Sequence, residues 1–224
     1  VELLENAKNF LNPVLHFYEW ESPSATYGYF ANPAALLFLD QIRSLDLARR
    51  PTGGGVIFHI WDFAFSILVP ASSALYSVNT LSNYALINSV VLSSIECFLE
   101  NSTSFYLTPQ DGTSSVKDCK HFCMAKPTQY DVMLKNKKVA GAAQRRTKKG
   151  FLHQGSIGLQ LPNRNYLNQI IRSKEVIDAM YAHTFPLLGD RVVSKAQIEA
   201  AKADLQTLLA CDLNRICLKY SQAN

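Results

Sequence analysis

The stretch Arg49-Arg50-Pro51-Thr52-Gly53-Gly54-Gly55-Val56-Ile57-Phe58-His59 combines residue types that can hold an anion against a tight backbone turn. Three adjacent glycines carry no Cβ and accept backbone angles closed to other residues, so such a loop can close tightly over a bound molecule. The forked, permanently charged guanidinium groups of Arg49 and Arg50 suit phosphate or carboxylate, and successive backbone N–H groups in the turn can form an anion-holding concavity. Taken alone, the glycine run is also readable as a surface turn with two solvated arginines. The run Val56-Ile57-Phe58 that follows reads as a buried strand, which would hold the loop rigid and present His59 at its far end.

A second set of chemistry-bearing residues lies between Cys123 and Ser156. Cys123 precedes Tyr130-Asp131, a strand at Val132-Met133-Leu134, a turn at Lys135-Asn136-Lys137, and a second strand from Lys138 to Gln144. Gly141, Ala142 and Ala143 keep that second strand small and make room beside Lys138, a single cation able to pair with carboxylate or phosphate. After a charged turn at Arg145 to Gly150, a third strand from Phe151 to Ile157 carries His153 and Gly155. Cys123 is a candidate nucleophile, since the thiolate is the reactive form and Lys126, Lys138 or His121 could stabilise it. It is equally readable as a small buried hydrophobe. The basic residues from Lys135 to Lys149 lack interleaved aromatics for base stacking, so they read as a solvated face rather than a nucleic-acid surface.

The remaining segments must position these residues. Val1 to Leu11 reads as the end of a helix stopped by Asn12-Pro13, and the missing initiator methionine suggests that a few residues precede it. Val14 to Trp20 reads as a strand, Ala25 to Phe30 as a second strand with Gly28 inside it, and Asn32 to Leu45 as a helix. A glycine within a strand marks a bulge or the close approach of something else, a ligand included. Asp62 to Val69 continues as an apolar strand, Asn79 to Leu99 as a helix, and Tyr166 to Tyr181 as another. Ser194-Lys195-Ala196-Gln197 is a capping box opening a long C-terminal helix.

Composition bounds the function. The chain has 224 residues, 48% hydrophobic and 18% charged, with a formal net charge of +4. It is long enough to bury a core, and its modest charge forces no nucleic-acid role. Five cysteines, an odd number in a chain too large to need disulfide staples, read as reduced thiols and a cytoplasmic location. The most apolar stretch, Val56 to Leu75, contains His59, Asp62 and Pro70, which argues against a membrane span. No His/Cys spacing suggests a metal site.

The loop from Arg49 to His59, the segment Lys138-Val139-Ala140-Gly141-Ala142-Ala143-Gln144 and His153-Gln154-Gly155-Ser156, in this order, resemble the lipoate–protein ligase and octanoyltransferase family. Tyr18-Glu19-Trp20-Glu21-Ser22-Pro23 and Tyr27-Gly28-Tyr29-Phe30 resemble that family's segment upstream of the loop. The resemblance covers roughly residues 1 to 165. It implies an α+β fold: a mixed, largely antiparallel sheet flanked by helices, similar to the catalytic domain of biotin ligases. One domain would span 1–224, with residues 165–224 as a helical tail and no separate accessory domain. The implied activity attaches a lipoyl or octanoyl group to a lysine of a lipoyl carrier domain, in a 2-oxoacid dehydrogenase complex or the glycine-cleavage carrier protein. The glycine loop, with Arg49, Arg50, Val56 and His59, would lie over the acyl chain and its head group together with Gly28, Gly141, Ala143, His153 and Gly155. Lys138 would contact the carbonyl or its activating phosphate.

Two activation routes follow from the resemblance. A ligase makes an acyl-adenylate from ATP, with Mg2+, and the free acid; the intact Gly53-Gly54-Gly55 and His153 are closer to ligases, which makes this the leading route. A transferase takes octanoate from an acyl carrier protein without a cofactor, and Cys123 resembles the nucleophile segment of its cysteine-dependent branch. Ligases carry asparagine where Tyr130 stands, while Asp131 is kept as a phosphate-side or metal-side candidate. A non-catalytic relative that binds a lipoyl domain is the third reading, favoured by the departures at Tyr130 and Ala31.

Overall fold

The longest β-forming runs of the chain pair with one another. Asp62–Pro70 (β5) is buried along all but its first residue, as a strand covered on both faces should be. It pairs antiparallel with Val14–Phe17 (β1) on one side and Gly150–Gly158 (β9) on the other. Lys137–Thr147 (β8) continues the sheet, followed by Val132–Leu134 (β7) and Tyr106–Leu107 (β6), all antiparallel. A smaller, mixed sheet is built from Ser24–Tyr27 (β2), Asp46–Arg49 (β3) and Val56–His59 (β4), with β2 central, parallel to β3 and antiparallel to β4. The computed structural model describes residues 2–41, 45–100, 104–113, 116–191 and 193–222.

Helices cover these sheets. A four-residue helix, Glu2–Glu5 (α1), precedes β1. Thr80–Phe98 (α2) starts at Asn79, whose side chain accepts from the N–H groups of Leu81 and Ser82, satisfying donors that a helix start leaves open. It packs with Lys195–Gln222 (α5) over the large sheet, where Phe65, Ile67, Ile87, Ile95, Phe151 and Leu209 meet in the main core. Arg164–Ile170 (α3) and Lys174–His183 (α4) close a second core with the small sheet, around Leu37, Val56, Phe58, Phe122, Leu167 and Met180.

Four sequence expectations change. The helix expected over Asn32 to Leu45 is two short 3-10 turns, Pro33–Ala35 and Leu39–Gln41; residues 42–44 lie outside the described set. Tertiary pairing overrides helix propensity here, because the Phe38 N–H donates to Ile170 O and Leu37 bridges to Ile171. Asp46-Leu47-Ala48, which the sequence reads as the lead from that helix into the glycine loop, is strand. The single helix over Tyr166 to Tyr181 is broken at Ile171-Arg172-Ser173, since Ser173 caps α4 by accepting from the Val176 N–H. Arg145 and Arg146, expected in a turn, extend β8 opposite Leu152 and Phe151.

Candidate active site

The two sheets meet around a cavity of about 750 Å³, within the 300–1,000 Å³ typical of small-molecule sites. Its floor is made where β8 faces β9. Gly141, Ala142 and Ala143 stand opposite Ser156, Gly155 and Gln154, so small residues leave space above the strands. Its roof is the glycine loop. Gly54 has φ of 86°, the left-handed region that favours glycine. Gly28, just past the end of β2, lies so close to the Gly53 and Gly54 backbone that any Cβ there would collide with it. The close approach expected at Gly28 is therefore that of the loop itself; Gly28 does not line the cavity.

Arg50 holds the roof. It is 7% exposed. Its Nη2 donates to the carbonyls of Gly53 and Gly55 at 2.7 and 2.8 Å, and its Nη1 donates to Thr26 O at 3.1 Å and Thr26 Oγ1 at 3.3 Å. Among the described residues no carboxylate lies within ion-pair distance of it. Its buried charge is instead met by carbonyl dipoles, the condition under which such burial is tolerable. Nη2 also lies 3.7 Å from Cys123 Sγ, which lines the cavity. The Cys123 N–H donates to Val56 O at 2.9 Å, so Val56, itself buried and outside the lining, fixes the position of the thiol. Arg49 lines the rim, stacked 4.9 Å above the Tyr29 ring.

On the opposite wall Lys138 reaches the cavity with its Nζ 2.8 Å from Asp131 Oδ2. Asp131 is 1% exposed and also accepts from the Thr128 N–H at 2.6 Å and Thr128 Oγ1 at 3.0 Å. Burial pushes its carboxyl up, opposed by the Lys138 charge. Asp131 does not line the cavity; it backs Lys138.

His153 is displaced from its expected role. It is fully buried, outside the lining, stacked on Phe65 and hydrogen-bonded through Nδ1 to Gln144 Nε2 at 2.8 Å. Burial holds its imidazole down to about 3, so it is neutral packing at ordinary pH. Strand alternation explains the displacement: Gln154 and Ser156 point into the cavity, and His153 points to the α2 side.

His59 does line the cavity, at 7% exposure. Its Nδ1 lies 2.8 Å from Asp62 Oδ2 and its Nε2 lies 2.9 Å from Thr26 Oγ1, while Trp20 stacks on the ring at 4.7 Å. Ser156 Oγ donates to the same Asp62 oxygen at 2.6 Å. Sequence reasoning missed Thr26, Asp62, Tyr84 and Ser156. The spacing of His59 and Asp62 was the available signal, since a tight turn between two strands brings such residues together. Tyr18 and Tyr84 are each pushed up to about 12, chiefly by burial, and stay neutral on the cavity wall.

An α+β fold thus brings the glycine loop, the Cys123 thiol and Lys138 onto one cavity. The chain belongs to the family described as the lipoyl protein ligase A/B catalytic domain, whose profile matches residues 1–194. It is 29% identical over 182 residues to octanoyltransferase LipM of Lysinibacillus sphaericus (strain C3-41), covering 78% of this chain and 65% of that protein. The chain thus spans a little under two thirds of that relative's length. Two solved structures share the fold. One is a lipoate-protein ligase A bound with ATP, with TM-score 0.61 and 19% identity over 99% of this chain and 92% of that one. The other comes from an archaeal lipoylation system of Thermoplasma acidophilum, a bi-partite lipoate protein ligase and its E2 lipoyl domain, with TM-score 0.60 and 18% identity over 98% and 89%. Among the described residues no helix is long and apolar enough to cross a membrane.

Proposed function

We propose that this chain transfers an octanoyl or lipoyl group to a lysine of a lipoyl carrier domain by way of a thioester on Cys123. The carrying observation is the Arg50 guanidinium, without a carboxylate partner among the described residues and 3.7 Å from Cys123 Sγ in the cavity. The guanidinium donates toward the sulfur and holds it at the cavity wall. The Cys123 thiolate attacks the carbonyl of an octanoyl thioester, presented by an acyl carrier protein; the C–S bond to the carrier breaks, and the carrier leaves as a thiolate that takes a proton from solvent. The acceptor amine then attacks the new thioester, the C–N bond forms, and the C–S bond breaks with its electron pair returning to sulfur beside Arg50. Lys138, paired with Asp131 on the sheet side, polarises the acyl carbonyl for attack. The similarity to an octanoyltransferase supports octanoyl transfer.

ATP-dependent ligation is the second reading, favoured by the intact glycine loop and by a cavity large enough for an adenylated acid. For that route Asp62 and Asp111 line the cavity and Asp131 backs Lys138, enough for the one or two carboxylates that magnesium takes beside substrate phosphates. The lipoyl domains of 2-oxoacid dehydrogenases and the glycine-cleavage carrier protein are the acceptors proposed, as one catalytic domain with a helical tail working in the cytoplasm. The test is the intact mass of an unmodified lipoyl domain and of this protein, with octanoyl carrier protein in one reaction and with ATP, magnesium and lipoate in another. Octanoyl transfer with an adduct on Cys123 supports the thioester; lipoyl transfer without an adduct means a ligase; no transfer in either overturns both.

A further inference from the structure

His59, Asp62 and Thr26 come from three strands, yet they form one connected line along the cavity wall, and Thr26 is bonded in turn to Arg50. One arrangement of the hydrogens in this line runs unbroken from Arg50 to Asp62. Arginine can only donate, so Thr26 Oγ1 accepts from Arg50; with the hydrogen of His59 on Nδ1, His59 donates to the Asp62 carboxylate, which also accepts from Ser156, and its Nε2 accepts from the Thr26 hydroxyl. In that tautomer the imidazole is held by a carboxylate behind and an indole alongside, and its Nε2 lone pair faces a hydroxyl on the substrate cavity. An imidazole so oriented is a proton acceptor in the manner of nucleophile-activating bases.

We infer that Asp62, His59 and Thr26 form a proton relay that deprotonates the acceptor lysine. The inference rests on acyl transfer to lysine as proposed above, whichever acyl donor is used. Lysine reaches the cavity as an ammonium, which has no lone pair to attack with. One ammonium proton passes to Thr26 Oγ1 as the Thr26 proton moves to His59 Nε2, leaving a neutral amine and an imidazolium held by Asp62. The amine attacks the acyl carbon and forms the C–N bond; the C–S bond to Cys123 breaks, its electron pair leaves on sulfur, and the surplus proton of the new amide nitrogen goes to that thiolate. The imidazolium releases its proton to solvent when product leaves. Arg50 joins the two halves, since Nη1 orients the Thr26 hydroxyl while Nη2 faces the sulfur.

The test compares two nucleophiles on the same octanoyl-Cys123 protein. One is a lipoyl-domain lysine, protonated at neutral pH; the other is hydroxylamine, which is not. His59→Gln and Thr26→Val slow discharge to lysine by about 100-fold or more, the scale of general base catalysis, and leave hydroxylamine discharge within about 3-fold, which also reports an intact cavity. Thr26→Ser, which keeps the hydroxyl, restores discharge to lysine. Equal slowing with both nucleophiles, or no slowing with either, overturns the relay. If the wild-type protein forms no acyl-Cys123, the thioester proposal falls, and the same two-nucleophile comparison with octanoyl-adenylate as donor decides the relay independently.

Discussion

Arg50 and Lys138 are cations at the wall of one cavity, and their charges are met in different ways. Lys138, on the sheet side, is matched by Asp131 at 2.8 Å, so that wall holds a nearly neutral pair. Arg50, on the loop side, is surrounded by the carbonyls of Thr26, Gly53 and Gly55 and by the Cys123 sulfur. Carbonyl dipoles solvate a cation without cancelling it, so the loop side keeps a net positive field and the sheet side does not. An anion formed during the reaction is therefore better held near Cys123, while Lys138 can polarise a neutral carbonyl without pinning a charged substrate.

The comparison breaks most completely at the sulfur itself. Cys123→Ala removes the acyl adduct from the enzyme's intact mass and stops octanoyl transfer; a full-rate variant would leave Arg50 a structural brace. On the sheet side, Lys138→Met strands the Asp131 carboxylate in the interior. The loss of folding stability is about 3–5 kcal/mol by urea denaturation, as for other broken buried pairs. Adding Asp131→Leu recovers most of that stability but not transfer, which separates the structural share of the pair from its chemical one. Arg50→Gln lowers the rate of Cys123 acylation about 100-fold in single-turnover mass spectrometry, the order seen on removing one preorganised donor. Arg50→Lys does not restore it, because an ammonium cannot reach both loop carbonyls and Thr26 as a fork does.

A smaller effect separates the cavity from the packing behind it. His153 is held at about 3 in the folded protein against an ordinary 6.5, so its contribution to stability is full above 6.5 and is lost as the pH falls toward 3. Within that window each tenfold rise in proton concentration favours the unfolded chain by about 1.4 kcal/mol, so stability drops by about 2 kcal/mol between pH 7 and pH 5 from this residue. In His153→Gln that share of the acid sensitivity disappears from the denaturation midpoint, while octanoyl transfer persists if the residue is packing.

Much of the site is legible as sequence because its parts are local. Gly53-Gly54-Gly55 followed by Val56-Ile57-Phe58 reads as loop then strand, and His59 does stand at the strand's end. The small residues at Gly141 to Ala143 mark open space on β8, and that space is the cavity floor. The errors fall where the decisive partner is distant. Asn32 to Leu45 has helical composition, but its backbone groups bond to the end of α3. His153 lies in a motif that resembles a binding segment, and only its face on β9 turns it toward α2.

By itself the sequence determined the glycine roof, the small-residue floor, the paired strands that carry Gly141 and Gly155, and the long helices α2 and α5. These follow from backbone freedom, side-chain size and period, which act between neighbours along the chain. The tertiary structure alone decided which cation keeps its charge, which histidine faces the cavity, and that Thr26, His59 and Asp62 touch. Charge compensation and hydrogen bonding depend on distances of a few ångströms between residues far apart in sequence, and only the packing of two sheets against each other sets those distances.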